Sequence, residues 1–222
     1  MAAKRASPSV STSRAILIWV ALAIAIGVPV VAAAFSPQLQ WRDAIYIASS
    51  FAGIAALSLM LIQPLLIAGA LPRLTPYQSR RVHRWVGAAL IVSVILHVVG
   101  LWITSPPDVI DALTFTSPTP FSAWGVVAMW GVLVVGAMVA ARPSLGLRPR
   151  TWRLIHTGLA ALIVTGTIVH TVLIQGAMET VSKTALCVLV GLATVRVLAD
   201  VWTAAARRRR DTQDSAPPTA AE

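Results

Sequence analysis

The sequence predicts an all-α membrane protein, a bundle of six transmembrane helices with both termini in the cytoplasm. Three observations support this prediction. Hydrophobic residues make up 57% of the 222 residues and charged residues only 12%, whereas about a quarter of a soluble domain is charged. Six apolar runs are long enough to cross a bilayer, which takes about 20 helical residues. Basic residues concentrate in alternate connections, as they do on the cytoplasmic side of membrane proteins.

The six predicted spans are separated by proline, glycine, serine or charged residues, which interrupt apolar helices. They cover residues 15–35, 44–70, 82–103, 122–141, 153–174 and 182–203. The chain is thereby divided into a disordered N-terminus (1–14), a six-helix membrane domain (15–203) and a basic, then disordered, tail (204–222). The first run, from Ile16 to Ala34, is longer than the roughly 7–15 apolar residues of a signal peptide. It is therefore interpreted as an uncleaved span.

The net charge of +10 is interpreted as a sign of orientation. Most of the 18 lysine and arginine residues fall at the termini and in alternate connections, which predicts that these segments are cytoplasmic. They are Lys4, Arg5, Arg14, Arg73, Arg80, Arg81, Arg84, Arg142, Arg148, Arg150, Arg153 and Arg207 to Arg210. Arg42 and Lys183 fall in the outer connections. Arg196, in the last span, either snorkels inward or pairs with Asp200 one turn further on. We expect a multi-pass protein of a bacterial inner membrane that contacts the lipid bilayer and no nucleic acid.

All four histidines lie in the third and fifth spans, at one repeated spacing. His83 and His97 are 14 residues apart, and so are His156 and His170. Fourteen helical residues rise about 21 Å and bring both members to within about 40° of one helix face. Because the third and fifth spans run parallel, His83 and His156 share an inner depth, and His97 and His170 share an outer depth.

Two stacked pairs of imidazoles suit two haem groups better than other intramembrane roles. Imidazole is an axial ligand of haem iron, and helix bundles hold such cofactors between facing helices. Interhelical hydrogen bonding or a proton relay explains many single intramembrane histidines. A zinc or copper site would need three or four ligands at one point, whereas these two levels are about 21 Å apart.

The neighbours of the histidines suggest further contacts with a flat cofactor. Arg84 and Arg153, next to the inner pair in sequence, either pair with haem propionates or anchor the helices at lipid headgroups. Trp130, midway along the fourth span, either bridges two cofactors or packs against neighbouring helices. One turn from each histidine toward the membrane centre lies a small residue that would leave room for a porphyrin. These small residues are Gly87, Ser93, Ala160 and Gly166.

The segment from Arg80 to Trp202 resembles the ferric reductase-like transmembrane domain, the membrane core that NADPH oxidases share. The resemblance rests on two motifs, RVHRWVG at 81–87 leading to His97 and WRLIHTG at 152–158 leading to His170. It implies that two b-type haems are ligated across the bilayer, the inner one by His83 with His156 and the outer one by His97 with His170.

The resemblance also implies one-electron transfer from a cytoplasmic-side donor to an acceptor outside. Complete members of the family continue into FAD and NAD(P)H domains. We therefore expect this chain to be an oxidoreductase or an electron-transfer subunit that takes electrons from a separate flavoprotein reductase or a quinol. The expected acceptor is ferric iron or a periplasmic redox partner. Asp108, Asp111 and Glu179 in the outer connections either attract ferric iron or form an ordinary acidic surface.

Two alternative functions stay open at this point. A short six-span relative, the haem-binding membrane subunit of the periplasmic methionine sulfoxide reductase system, resembles this chain but lacks a histidine at the position of His83. It represents a one-haem, quinol-linked subunit. The other alternative is a non-redox transporter that uses the histidines for transport or packing.

Overall fold

Helices form all of the regular structure in the described part of the chain. The computed structural model describes the backbone of residues 11–214 and the side chains of residues 11–203. This part contains eight α-helices and a short 3-10 helix, Pro37–Leu39, but no strand. The α-helices are α1 (Thr12–Ala34), α2 (Ala44–Ile67), α3 (Pro76–Thr104), α4 (Pro106–Leu113), α5 (Pro120–Ala140), α6 (Arg142–Leu145), α7 (Pro149–Leu173) and α8 (Thr180–Asp214).

Six of these helices are long and apolar enough to cross a membrane, namely α1, α2, α3, α5, α7 and the Thr180–Thr203 part of α8. The predicted all-α six-helix bundle is therefore confirmed. Two short helices, α4 and α6, lie in connections for which the sequence analysis predicted no regular structure. The side of the membrane on which each terminus lies stays a prediction. The predicted disordered ends lie largely outside the described residues.

Helix start signals fix where the histidine-bearing helices begin. Pro76 and Pro149 occupy the first turns of α3 and α7, where the missing N–H of proline costs no helical hydrogen bond. Thr75 and Gln78 form a capping box at α3: the Gln78 N–H donates to the Thr75 hydroxyl at 3.2 Å, and the Thr75 N–H donates to the Gln78 side chain at 2.8 Å. His83 lies two turns after the start of α3, so the helix start determines how far along α3 this histidine lies.

The spans pack as two close pairs joined by the last helix. α2 lies along α3, α5 lies along α7, and α8 contacts both α2 and α7. Their meeting point is an apolar core of Leu57, Met60, Leu61, Val132, Ile163, Leu186, Cys187 and Val190. Cys187 is buried there as a free thiol. The backbones of α3 and α7, in contrast, approach each other closely at few points.

The first turn of α8 is capped by the carboxylate of Glu179. One oxygen accepts from the Val181 N–H and the other from the Ser182 N–H, both at 2.7 Å. These hydrogen bonds, the one from Ser182 foremost, hold the pKa of the Glu179 carboxyl below its ordinary value. The cap therefore needs an ionised carboxylate, which the folded protein retains to a lower pH than the unfolded chain does.

We expect Glu179→Gln to lower the Tm of the protein at neutral pH. Because the folded-state pKa is depressed, the contribution of the cap is complete above the ordinary glutamate pKa of about 4.3 and is lost as the pH falls through the lower folded-state value. Thermal unfolding in detergent at pH 7 and at successively lower pH measures this. Asp43→Asn is the control, because Asp43 precedes α2 without a side-chain capping bond. A Tm difference between wild type and Glu179→Gln that persists unchanged at the lowest pH would contradict the prediction.

The predicted pair within α8 is confirmed. The Arg196 guanidinium lies 3.2 Å from the Asp200 carboxylate, and both side chains are exposed. α8 continues past residue 203, where the predicted span ends, to Asp214.

Candidate functional site

The structure brings the two inner histidines together. The ring centres of His83 on α3 and His156 on α7 are 6.3 Å apart, with the planes inclined by 70°. This is an edge-to-face arrangement, for which ring centres lie about 4.5–7 Å apart. The inner histidines of α3 and α7 therefore lie against each other.

An aromatic and cationic stack supports the inner pair on one side. The Trp152 ring lies parallel to that of His156, with an interplanar angle of 13° and 5.9 Å between centres. The Arg142 guanidinium in turn lies 4.7 Å from the centre of the Trp152 ring. Since Trp152 and His156 are one helical turn apart on α7, this stack limits the rotation of the imidazole.

The two outer histidines line one cavity. His97 of α3 and His170 of α7 both contribute to the wall of a cavity of about 500 Å³, which we call the outer cavity. Its volume lies within the range of about 300–1,000 Å³ typical of sites for small molecules and cofactors. α2, α4 and α5 supply the rest of its helical wall, together with the segment after α7 and the first turn of α8.

Backbone carbonyl groups orient both outer imidazoles. Nδ1 of His97 lies 2.8 Å from the Ser49 carbonyl oxygen, and Nδ1 of His170 lies 2.9 Å from that of Phe121. A carbonyl oxygen only accepts, so each Nδ1 carries the hydrogen and donates it. Each Nε2 is then left as the basic nitrogen, which is the arrangement that ligating histidines adopt in metal sites.

Two glycines that the sequence analysis did not single out allow the imidazoles to reach these carbonyls. Gly53 lies four residues after Ser49, and Gly125 four residues after Phe121, so each glycine adjoins the accepting carbonyl along its helix. A Cβ atom at Gly53 would lie 3.0 Å from Nδ1 of His97, and one at Gly125 only 2.6 Å from Nδ1 of His170. The sequence around these two glycines does not distinguish them from other small residues, because small residues recur throughout packed membrane helices.

The inner pair lacks this carbonyl arrangement. Nδ1 of His83 is buried without a hydrogen-bond partner in the described structure, and so is Oε1 of Gln63. Nε2 of Gln63 donates instead to the backbone carbonyl of His83 at 3.3 Å. On α2, Gln63 occupies the position that corresponds to Ser49, because it follows Ser49 by 14 residues, the spacing between His83 and His97. The position that corresponds to Gly53 is Ile67, four residues after Gln63, and its side chain has the Cβ that Gly53 lacks.

Arg84 and Arg153 lie beside the inner pair in sequence but point to the surface. Both side chains are exposed, and neither forms an ion pair within the described part of the chain. Arg84 directly follows His83 and so lies about 100° away from it around the helix axis, whereas Arg153 precedes His156 by three residues and lies about 60° away. The structure thus brings the four histidines together in pairs but does not bring the two arginines to them.

The structure gives no support to two interpretations of the neighbouring residues. Gly87 faces the side chain of Gln63, and Gly166 faces the backbone of Trp124 on α5. These two glycines allow neighbouring helices to pack closely rather than leave a gap for a cofactor. Trp130 is 54% exposed and does not line the outer cavity, so its position gives no support to a bridging role.

The three outer acids have different positions. Asp108 and Asp111 line the outer cavity and are exposed, and the Ser105 hydroxyl donates to the Asp108 carboxylate. Glu179 is engaged as the cap of α8. Only two of the three acids therefore lie where they could attract a cation toward the cavity.

Most of the site lies within a segment that matches a known family. Residues 51–167 match the family described as ferric reductase like transmembrane component, over more than half of the chain. The chain belongs to this family. No curated protein and no solved structure matches it. As a ferric reductase-like protein with six apolar helices, it is a multi-pass integral membrane protein whose family suggests transmembrane electron transfer.

The match to the ferric reductase-like family covers most of the site. It includes His83, His97 and His156 and ends three residues before His170. It also includes most of α2, which the resemblance noted from sequence did not reach, and hence Gly53. The suspected family is confirmed.

Proposed function

We propose that this ferric reductase-like protein moves electrons one at a time across the membrane through two haems b. His83 and His156 would hold the inner haem, and His97 and His170 the outer one. The observation that carries the proposal is the arrangement of the four histidines. The helices α3 and α7 present an inner pair of imidazoles in edge-to-face contact and an outer pair that lines one cavity. Bound haem would supply one-electron redox chemistry.

The chain's own residues would hold and orient that cofactor. The Ser49 and Phe121 carbonyls fix the tautomers of His97 and His170, and such hydrogen bonds raise the basicity of a ligating imidazole. Apolar side chains of the outer cavity, including Met60 and Val132, would pack against an apolar cofactor surface. Arg84 and Arg153, exposed near the inner pair, are proposed to pair with haem propionates when the haem is bound.

The proposed direction of transfer is outward. The distribution of basic residues predicts that the ends of α3 and α7 bearing His83 and His156 face the cytoplasm. With the cell interior negative, an electron that crosses fully outward is stabilised by up to about 2.3 kcal/mol per 100 mV. The proposed donor is a separate flavoprotein reductase or a quinol, and the proposed acceptor is ferric iron or a periplasmic redox protein.

The difference between the two histidine pairs supports a second candidate, a subunit with one haem. Only the outer pair combines a cavity of about 500 Å³ with two imidazoles fixed by carbonyl groups, whereas Nδ1 of His83 has no partner in the described structure. A one-haem subunit linked to quinol would use His97 and His170 alone.

Haem content tests both candidates. We expect the purified full-length protein to contain two haems b per chain in a pyridine haemochrome assay, and to show a low-spin b-type spectrum after reduction with dithionite. One haem per chain would favour the second candidate. Well-folded protein that contains none, even when expressed with added haem precursor, would overturn the electron-transfer proposal.

A further inference from the structure

Lys183 is a buried cation in the wall of the outer cavity. From sequence it counted as one of the basic residues of the outer connections. In the structure it lies in the first turn of α8, and only 5% of its surface is exposed. It lines the same cavity as His97 and His170. A lysine is seldom buried to this extent unless its charge is paired.

The chain satisfies only part of the hydrogen-bonding capacity of this ammonium group. Nζ of Lys183 donates to the Ile174 carbonyl at 2.8 Å, where the C-terminus of α7 favours a positive charge. An ammonium group has three donors. Among residues 11–203 no carboxylate lies within ion-pair distance of it. Glu179, four residues earlier, attracts the charge from further away, while its two oxygens accept from the first amides of α8.

The ammonium group lies close to the level of the outer imidazoles. Ile174, which accepts its hydrogen bond, follows His170 by four residues, and the Ile174 N–H donates to the His170 carbonyl at 3.1 Å. Four residues of helix rise about 6 Å. A ligand that reached the outer histidines would therefore lie within about one helical turn of the positive charge along the axis of α7.

We propose that Lys183 binds a carboxylate of an anionic ligand in the outer cavity. A buried charge needs a counter-charge, and the carboxylates that line the cavity, Asp108 and Asp111, are exposed. The proposal rests on the proposed function, because two sources of carboxylate fit it. One is a propionate of a haem held by His97 and His170. The other is a carboxylate that chelates a ferric acceptor entering the cavity.

The principal variant is Lys183→Gln in the full-length haem-loaded protein. Glutamine removes the charge and keeps an amide donor on a side chain that is one atom shorter. If the carboxylate is a propionate, the resonance Raman propionate-bending band of the outer haem shifts, or the outer haem is lost while the inner haem stays. If it belongs to the acceptor, the ferric citrate concentration for half-maximal reoxidation of the reduced protein rises roughly 10- to 100-fold. Reoxidation by the cationic acceptor hexaammineruthenium(III) then stays unchanged.

Two further variants control for charge and folding. Lys183→Arg, which keeps the cation, should restore whichever property Lys183→Gln changes. Arg14→Met removes an exposed positive charge near the start of α1, outside the cavity wall, and should leave both properties at their wild-type values.

The outcomes separate this inference from the proposed function. Wild-type protein without haem would overturn the proposed function. If the wild type contains haem and Lys183→Gln has the same Raman band and the same ferric citrate dependence, the role of Lys183 is overturned and the proposed function is not. Loss of the inner haem in both Lys183→Gln and Lys183→Arg would make the lysine purely structural and would also overturn the inference.

Discussion

Replacing His97 with glycine is expected to remove the outer haem and to lower the haem content of the purified protein from two per chain to one. Among the residues that line the outer cavity the histidines are His97 and His170, so no further imidazole is at hand there to replace that of His97. Transmembrane electron transfer should fall at least about 100-fold, since even supporting residues of metal sites contribute 10- to 100-fold. Haem assay, reduced spectra and reoxidation of protein in vesicles by an external acceptor measure these changes.

Imidazole in the buffer distinguishes a ligand from a packing residue. If His97 is a ligand, free imidazole should enter the space left in His97→Gly and restore the low-spin spectrum. His83→Gly is the matched variant, since it should remove the inner haem and leave the outer one. The prediction fails if His97→Gly keeps two low-spin haems, or if it loses both haems and imidazole restores neither.

Gly125→Ala is expected to displace His170 and to weaken binding of the outer haem roughly 10- to 100-fold. The added methyl carbon would lie 2.6 Å from Nδ1 of His170, so the hydrogen bond to the Phe121 carbonyl cannot keep its present geometry. Retention of haem during dilution or exchange, and the midpoint potential of the outer haem, measure the effect. Gly53→Ala, whose methyl carbon would lie 3.0 Å from His97, should act in the same direction but less strongly.

A glycine in open space provides the control for these substitutions. Gly27 in α1 has no atom within 4 Å of an added Cβ. Alanine is favoured over glycine inside a helix by about 0.8–1.0 kcal/mol, so Gly27→Ala should bind haem as wild type does and be no less stable. Equal haem retention in Gly125→Ala and Gly27→Ala would show that the close approach of Gly125 to His170 has no functional role.

The sequence was sufficient for the six spans because bilayer thickness dictates the length of each apolar run. It was also sufficient to predict which histidines meet, since the 14-residue spacing and the parallel direction of α3 and α7 place His83 opposite His156. These properties depend on the periodicity of single helices, which can be read along the chain.

What could not be predicted depends on how different helices fit against each other. Gly53 matters only because the register of α2 against α3 places it beside His97, and no property of α2 alone reveals that register. Lys183 was counted among the outer connections because it is a cation near a predicted span end, and only the packing of α8 against the cavity shows that it is buried. The short helix α4 closes the cavity but is too short to give a clear periodic signal.

The two helix pairs have a consequence for the freedom of the outer imidazoles. The core that joins α2, α5, α7 and α8 consists of the chain's own apolar side chains, and the Ser49 and Phe121 carbonyls position His97 and His170 through bonds within the protein. Each of these bonds links the two helices of a close pair, α2 to α3 and α5 to α7. Turning either imidazole away from its carbonyl therefore breaks a polar contact between two helices, so that the orientation of the rings and the packing of the pairs are coupled.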